Sequence, residues 1–360
     1  MSKKFRVLRL TNFLSEYNIP ILNLLGQHVD LTVMHAGKPI NRNGLHFKEK
    51  ILKTYKIGPF TFIKDNLYNM ASSYDVSIIL GDIHWLSYMR LAFYKNRPFR
   101  VCFWSIGVSA GYEKAFDEIK RWDKVRNFFM RRADALIFYS DYPIEKYVQA
   151  GFAREKLFVA PNTVEVKDFA MDAKRDILLF VGTLYKQKGI NSLLESYFRA
   201  SRYHTMPQLH IIGGGEEYDV VKDWTVSNKL NDSIVLHGPI YDEDQLASFF
   251  LRSLACISPG QAGLSVLKSM GYGTPFITMQ NAITGGERLN IQNGVNGVLY
   301  HQDSVLEAIL VDISENRQKY IDMGQRAREY FINFRTPSHM VDGLLSAIQY
   351  CTKDKKCHVH

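Results

Sequence analysis

The sequence is poor in cysteine and lacks a long apolar run. Only 4 of its 360 residues are cysteine, and Cys102 and Cys256 lie inside apolar stretches. We therefore expect reduced core thiols rather than a disulfide framework. The exposed tail Cys357–His360 has no further ligands beside it, so no metal site is predicted. The absence of a signal-peptide core and of about 18 consecutive apolar residues predicts a chain that is neither secreted nor membrane-spanning.

Acidic residues are outnumbered, which leaves a net charge of +9. Most of this excess lies between Arg90 and Arg132, where there are 11 basic and 4 acidic residues. Large apolar residues recur there at helical spacing and predict a basic amphipathic helix over 113–132; they are Phe116, Ile119, Trp122, Val125, Phe128 and Phe129. Its apolar face could pack on the protein's own sheet, or segment 114–132 could dock on an anionic membrane surface. No nucleic-acid motif accompanies the charge, so no nucleic acid partner is expected.

Strand and helix patterns alternate through both halves of the chain. This alternation predicts an α/β fold with two Rossmann-like, doubly wound domains, and 360 residues suffice for two cores. Segment 36–58 is polar and is predicted to be irregular. We expect domains at 1–163 and 164–335, then a terminal helix and tail over 336–360 whose helix packs back on the first domain. The carboxyl ends of the strands would face a central cleft, the usual ligand site of such folds.

The most informative stretch is 258–278. An apolar strand ends at Ile257, Gly260 and Gly263 allow a tight turn, and a helix is predicted from about Leu264 to Met270. Unpaired amide N–H groups at such a helix start favour a phosphate by roughly 0.3–2 kcal/mol. Glycines at this junction could also serve packing alone.

These motifs together resemble a known family. They are similar to the GT-B glycosyltransferases of the family 4, or group 1, type, and within it to a bacterial surface-polysaccharide subgroup. The matching segments recur in the family's order and spacing; they are 133–140, 155–162, 180–189, 211–215, 235–238, 263–264, 273–275 and 294–297. The resemblance implies an acceptor-binding domain at 1–163 and a nucleotide-sugar-binding domain at 164–335.

The resemblance also implies site residues. Lys188 matches the diphosphate-binding cation and Glu287 a position near the donor sugar, while His84, after a strand of the first domain, could act on the acceptor hydroxyl as base or orienting group. Donor-binding residues are implied at the strand ends and loops; they are Gly182, Thr183, Lys188, Gly213, Gly238, Pro239, Ile240, Gly260, Gly263, Leu264 and Lys268. The alternatives are a solvated lysine, a first-turn acid and a structural histidine.

Three departures from the family pattern stand out. Gly260 and Lys268 occupy the places where the family usually carries two glutamates, and a lysine cannot accept hydrogen bonds from a donor ribose as the second glutamate does. Thr183 stands where an arginine is frequent. The segment Trp104–Gly107 lacks a frequent histidine. We interpret Lys268 as subgroup variation.

Other motifs suggest no further cofactor. Asp242 and Asp244 are predicted to cap a helix rather than bind metal. The glycines at 213–215 lack the dinucleotide spacing, and 182–189 lacks a P-loop lysine–serine pair. The resemblance therefore implies a metal-independent, cofactor-free transferase.

The implied activity is transfer of a sugar from a UDP- or GDP-linked donor to a lipid-linked oligosaccharide in capsule or O-antigen (lipopolysaccharide) biosynthesis. Such an enzyme would be cytoplasmic and peripheral on the inner face of the cytoplasmic membrane. Because the glutamates are missing, an inactive GT-B module that binds glycans or partners is an alternative. A sugar-nucleotide epimerase is a third.

Overall fold

Two parallel sheets organise the chain into two compact units. A computed structural model describes residues 4–40, 42–110, 116–118, 121–169 and 174–353. Unit 1 draws on Met1–Ser109, Ile119–Glu165 and Thr336–His360, and unit 2 on Ala110–Glu118 and Val166–Arg335. Each unit holds its own buried apolar core.

Unit 1 is built on a seven-stranded parallel sheet and a short antiparallel hairpin. Its strands are β1 (Arg6–Thr11), β2 (Asp30–His35), β3 (Lys48–Ile51), β4 (Thr54–Ile57), β5 (Phe60–Ile63), β6 (Val76–Leu80), β7 (Arg100–Ser105), β8 (Ala135–Phe138) and β9 (Leu157–Val159). The sheet order is β3-β2-β1-β6-β7-β8-β9, and β4 pairs with β5. The strand order therefore reverses between β1 and β6, which is where open α/β sheets form a ligand crevice.

Helices cover both faces of that sheet. They are α1 (Ile19–His28), α2 (Leu67–Ala71), α3 (Leu86–Arg90), α4 (Arg121–Met130), α5 (Ile144–Gln149) and α12 (Pro337–Thr352). The terminal helix α12 begins behind the cap residue Thr336 and buries Met340 and Leu344 with Val7 in one core of unit 1. It lies so close to β9 that a Cβ on Gly343 would be 2.1 Å from the Val159 carbonyl oxygen.

Unit 2 repeats the doubly wound plan with six parallel strands. The strands are β10 (Ile177–Val181), β11 (Gln208–Ile212), β12 (Ile234–Gly238), β13 (Ser253–Ile257), β14 (Phe276–Met279) and β15 (Gly297–Tyr300). The helices are α6 (Ile190–Ser201), α7 (Tyr218–Ser227), α8 (Glu243–Arg252), α9 (Ser265–Gly271), α10 (Leu306–Glu315) and α11 (Arg317–Phe334). The order is β12-β11-β10-β13-β14-β15, so the reversal falls between β10 and β13.

The expectation of irregular structure over 36–58 is wrong in part. The edge strand β3 pairs in parallel with β2, and β4 pairs with β5. No residue of β3 or β4 is buried. Because an edge strand with exposed side chains leaves no alternation of apolar and polar residues, its sequence carries little signal.

The predicted basic helix over 113–132 is also too long. In the described residues α4 begins at Arg121. Asp117 has φ of 67°, in the left-handed region that a continuous right-handed helix cannot contain. Residues 111–115, 119–120 and the terminal Cys357–His360 lie outside the described part. Within that part, no helix is both long and apolar enough to cross a membrane.

Candidate active site

The loop after β13 lies at the reversal of strand order in unit 2. The Gly260 N–H donates to the Lys188 carbonyl at 2.9 Å, and the Gly260 carbonyl accepts from Ile283 N–H at 2.9 Å. A Cβ on Gly260 would lie 2.2 Å from the Gln187 carbonyl oxygen. Gly260 therefore brings the turn after β13 against the turn before α6, and its own N–H is already used.

Two amides further along this loop are available to a ligand. Gly263 and Leu264 directly precede α9, and among the described residues no acceptor is paired with either N–H. Both residues are partly exposed, and a Cβ on Gly263 would meet nothing within 4 Å. The loop thus presents two unpaired donors in open space, which suits an anion.

Lys188 places a positive charge at the carboxyl-end edge of the unit 2 sheet. The residue is 7% exposed, and in the described part of the chain no carboxylate pairs with its ammonium group. A Cβ on Gly182 would lie 3.0 Å from Nζ, which places the charge at the carboxyl end of β10. Burial lowers the pKa of Lys188 to about 8, although the nearby Cys256 thiol acts in the opposite direction. An anion bound here would remove the penalty that burial imposes on the charged form.

Glycines hold three loops side by side at the same edge. The Gly182 N–H donates to Ile212 at 3.0 Å, and the Gly213 N–H donates to the Gly238 carbonyl at 2.8 Å. A Cβ on Gly213 would lie 1.9 Å from the Gly182 carbonyl oxygen, so only glycine allows this approach. The loops after β10, β11 and β12 are thereby fixed side by side, and the last of these loops begins with Pro239 and Ile240.

Glu287 lies beside the glycine turn. Its segment is tied to that turn because the Ala262 N–H donates to the Ile283 carbonyl at 2.8 Å. The Glu287 carboxylate is 7% exposed and accepts from the Gly285 N–H at 2.8 Å and from the Thr284 hydroxyl at 3.2 Å. The arrangement shows at least a loop-ordering role for Glu287, and its catalytic role stays a prediction.

Lys268 points to a partner in its own unit. Its Nζ lies 2.5 Å from Oε2 of Glu243, and the other carboxylate oxygen accepts from the Tyr272 hydroxyl at 2.9 Å. Asp242, next to Glu243, caps α8 by accepting from the Gln245 N–H at 2.8 Å, as the sequence predicted. Lys268 therefore has a neutralising acid, unlike Lys188.

His84 lies in unit 1, after β6. Its Nδ1 is 2.7 Å from Oδ1 of Asp82, and the same oxygen accepts the His84 backbone N–H at 2.9 Å. The imidazole is 58% exposed. A carboxylate on Nδ1 orients the ring and leaves Nε2 outward, which is compatible with a proton-transfer role.

Sequence reasoning missed two contacts at the site. The Tyr185 hydroxyl donates to the Gln261 side chain and so links the loop after β10 with the loop after β13. Glu243 lies between the predicted caps Asp242 and Asp244, and its pairing with Lys268 was not predicted. Both contacts join positions that are far apart in the chain, so no local sequence pattern indicates them.

Part of the chain is similar in sequence to known proteins. Residues 162–330 match the family model described as glycosyl transferases group 1. An uncharacterized glycosyltransferase of Haemophilus influenzae is 26% identical over 174 residues, which cover 47% of this chain and 48% of the relative. The chain thus spans about half the length of that curated relative.

Solved structures share the fold. HepE of Anabaena in complex with UDP and glucose has a TM-score of 0.68 at 14% identity, covering 96% of this chain and 99% of that chain. The lipopolysaccharide outer core galactosyltransferase WaaB has a TM-score of 0.65 at 16% identity, covering 95% and 98%. These likenesses confirm the predicted fold class, a GT-B fold with two Rossmann-like domains.

Proposed function

Because residues 162–330 match the model of the group 1 glycosyl transferases, we propose that the chain is a retaining, metal-independent glycosyltransferase. The donor is a UDP- or GDP-linked sugar, and the acceptor is a lipid-linked oligosaccharide of capsule or O-antigen synthesis. The observation that carries the proposal is Lys188, a buried ammonium group without an acid partner in the described chain, at the end of β10. The UDP-bound neighbour supports the donor class, and WaaB supports the acceptor class.

The chemistry follows from charge. When the anomeric bond of a nucleotide sugar breaks, negative charge develops on the leaving diphosphate. Lys188 and the Gly263 and Leu264 N–H groups would meet that charge, and one well-placed donor contributes on the order of 3 kcal/mol to such a transition state. Glu287 would face the donor sugar from the adjoining loop. On the acceptor side, the Asp82-oriented His84 would receive the hydroxyl proton.

A nucleotide panel tests the proposal. The protein is incubated with UDP- and GDP-sugars, and its melting temperature is compared with and without each nucleotide, since ligand binding to the native state raises it. We expect one nucleotide class to bind and its sugar to be transferred to lipid-linked acceptor. Lys188→Ala should lower turnover about a hundredfold or more. Isomerised donor would instead indicate the epimerase, and absence of both binding and turnover the inactive module.

We further propose that α4 holds the enzyme on the inner face of the cytoplasmic membrane. Three large apolar side chains of α4 are exposed at three-residue spacing: Trp122 at 55%, Val125 at 36% and Phe128 at 54%. Lys124 and Arg131 are exposed beside them. An apolar stripe flanked by cations fits an anionic bilayer surface, where each basic residue adds about 1 kcal/mol.

Liposome flotation tests this docking. Wild-type protein should bind vesicles of phosphatidylglycerol but not of phosphatidylcholine, and binding should weaken with salt. The double variant Trp122→Ser and Phe128→Ser should lose binding. Tyr241→Ser is the matched control, because Tyr241 is 92% exposed but lies in unit 2, far along the chain. Equal binding of all three proteins would contradict the proposal.

A further inference from the structure

Unit 1 contains a buried arginine that has no role in the proposed glycosyl transfer. Arg9 lies in the apolar strand β1 and is 6% exposed. Among the described residues it makes one hydrogen bond, from Nη1 to the Ile78 carbonyl oxygen on β6, which is long at 3.4 Å. No carboxylate of the described chain pairs with it, and the groups that act on its charge are the tyrosines Tyr17, Tyr88 and Tyr139. Burial lowers the pKa of Arg9 to about 10.

The aromatic contact of Arg9 does not replace an acid partner. The guanidinium carbon lies 4.5 Å from the centre of the Trp104 ring. Such a cation–π contact returns only part of the cost of removing a guanidinium from water. In the described chain one of its N–H groups has an acceptor, so the other N–H donors can bind a ligand. The Trp104 indole N–H is itself buried without a partner in the described chain.

A second buried arginine shows what a structural role looks like in this protein. Arg175 of unit 2 is also desolvated, and burial likewise lowers its pKa to about 10. It donates to four oxygens at 2.6 to 3.2 Å, which belong to Phe250, Ser253, Tyr272 and Thr274. Arg9 has one acceptor where Arg175 has four. In the described chain, the Arg9 nitrogens that make no hydrogen bond are not fully buried, so a ligand can reach them.

The position of Arg9 supports a ligand. β1 and β6 are the two strands between which the strand order of unit 1 reverses, and Arg9 on β1 bonds to Ile78 on β6. Arg9 is two residues before the carboxyl end of β1 at Thr11. Open α/β sheets bind ligands at this reversal, outside the carboxyl ends of the strands. Lys188 occupies the corresponding reversal in unit 2.

We propose that Arg9 binds a phosphate group through the edge of its guanidinium, at the strand reversal of unit 1. The guanidinium offers parallel N–H donors that match two phosphate oxygens. Within the proposed function, on which this step rests, the phosphate is that of the lipid-linked acceptor. Arg9 would then be a substrate-binding residue of the acceptor domain. Free inorganic phosphate is the other source of the same chemistry.

Thermal unfolding in the presence of phosphate tests the site. Inorganic phosphate and geranyl phosphate are added separately to the wild type, to Arg9→Met and to Lys188→Met, at constant ionic strength. We expect geranyl phosphate at a hundred times its Kd to raise the wild-type Tm by about 5 °C. Arg9→Met should abolish this rise, and Lys188→Met should retain it. A rise with inorganic phosphate alone, lost in Arg9→Met, would assign the site to the free anion.

The melting temperature without ligand separates binding from a structural role. Arg9→Met removes a poorly compensated buried charge, so its Tm should equal or exceed that of the wild type. Arg175→Met should melt well below the wild type because it removes the hydrogen bonds that the guanidinium donates to four oxygens. If Arg9→Met does not fold, Arg9→Lys keeps the charge without the paired N–H groups and should bind phosphate about tenfold more weakly.

The outcomes also separate this inference from the proposed function. UDP or GDP binding should survive in Arg9→Met and be lost in Lys188→Met. If neither nucleotide binds the wild type, the transferase proposal fails while the Arg9 measurement still stands. A phosphate-induced rise that is unchanged in Arg9→Met, or a large drop in the Tm of that variant, would overturn the assignment.

Discussion

The pH dependence of nucleotide binding gives the sharpest test of Lys188. Burial lowers the pKa of its ammonium group to about 8 in the free protein. A diphosphate beside it favours the charged form, so the pKa in the complex should return towards the ordinary value of about 10.4. Between these two values the free protein must take up a proton before it binds. Affinity should therefore fall as pH rises, by up to tenfold per pH unit.

The size of this change in affinity follows from the two pKa values. With pKa values of about 8 free and about 10.4 bound, the Kd at pH 10 should be roughly a hundredfold higher than at pH 7. Isothermal titration with UDP or GDP measures it. The last phosphate proton has a pKa of about 6 and is largely lost by pH 7, but the nucleotide base also titrates at high pH. Lys188→Arg is the control, since a guanidinium has a higher intrinsic pKa than an ammonium group and the variant shares every effect of the base.

The ratio of the two Kd values isolates the lysine. It should be constant up to about pH 7.5 and then rise in favour of Lys188→Arg as pH increases. A ratio that stays constant from pH 7 to 10 would refute the reasoning. Either Lys188 would not be desolvated in solution, or the diphosphate would not touch it.

Two more predictions concern the loops around this cation. Gly213→Ala should cost about 2–3 kcal/mol of unfolding free energy, because its Cβ would meet a backbone oxygen at 1.9 Å. Gly263→Ala should change the unfolding free energy by under about 0.5 kcal/mol, because its Cβ would meet no heavy atom within 4 Å. Equal losses in denaturant unfolding would contradict this. Breaking the Lys268–Glu243 pair should cost about 1 kcal/mol in either Lys268→Met or Glu243→Gln. The Kd for nucleotide should rise in the first variant and fall in the second, whose lysine is released. An unchanged Kd in both would exclude Lys268 from the donor site.

The fold could be predicted where the signal is local. The strands Val76–Leu80 and Ile177–Val181 have the bounds that their apolar runs predict, because strands buried on both faces leave continuous apolar sequence. The exposed strand β3 carries no such run and was missed. The predicted basic helix was too long because spacing cannot reveal the left-handed conformation of Asp117.

The site was only partly predictable. The glycine turn after Ile257 could be recognised because glycine and helix-start patterns are contiguous in sequence. The sequence could not predict which charged side chains have a partner of opposite charge. Lys188 and Lys268 are both lysines beside glycine-rich turns, yet Lys188 has no acid partner in the described chain and Lys268 is paired with Glu243. Arg9 gave a signal that went unused, namely a cation inside an apolar strand.

The sequence by itself determined the alternation of strands and helices, the glycine turns at strand ends and the match of residues 162–330 to the model of the group 1 glycosyl transferases. Only the tertiary structure decided which cations lack a counter-charge, which amides lack an acceptor and where the strand order reverses. The physical reason is the distance along the chain over which each effect acts. Periodicity and turn chemistry act over a few residues, whereas desolvation and charge pairing depend on groups that folding brings together from distant parts of the chain.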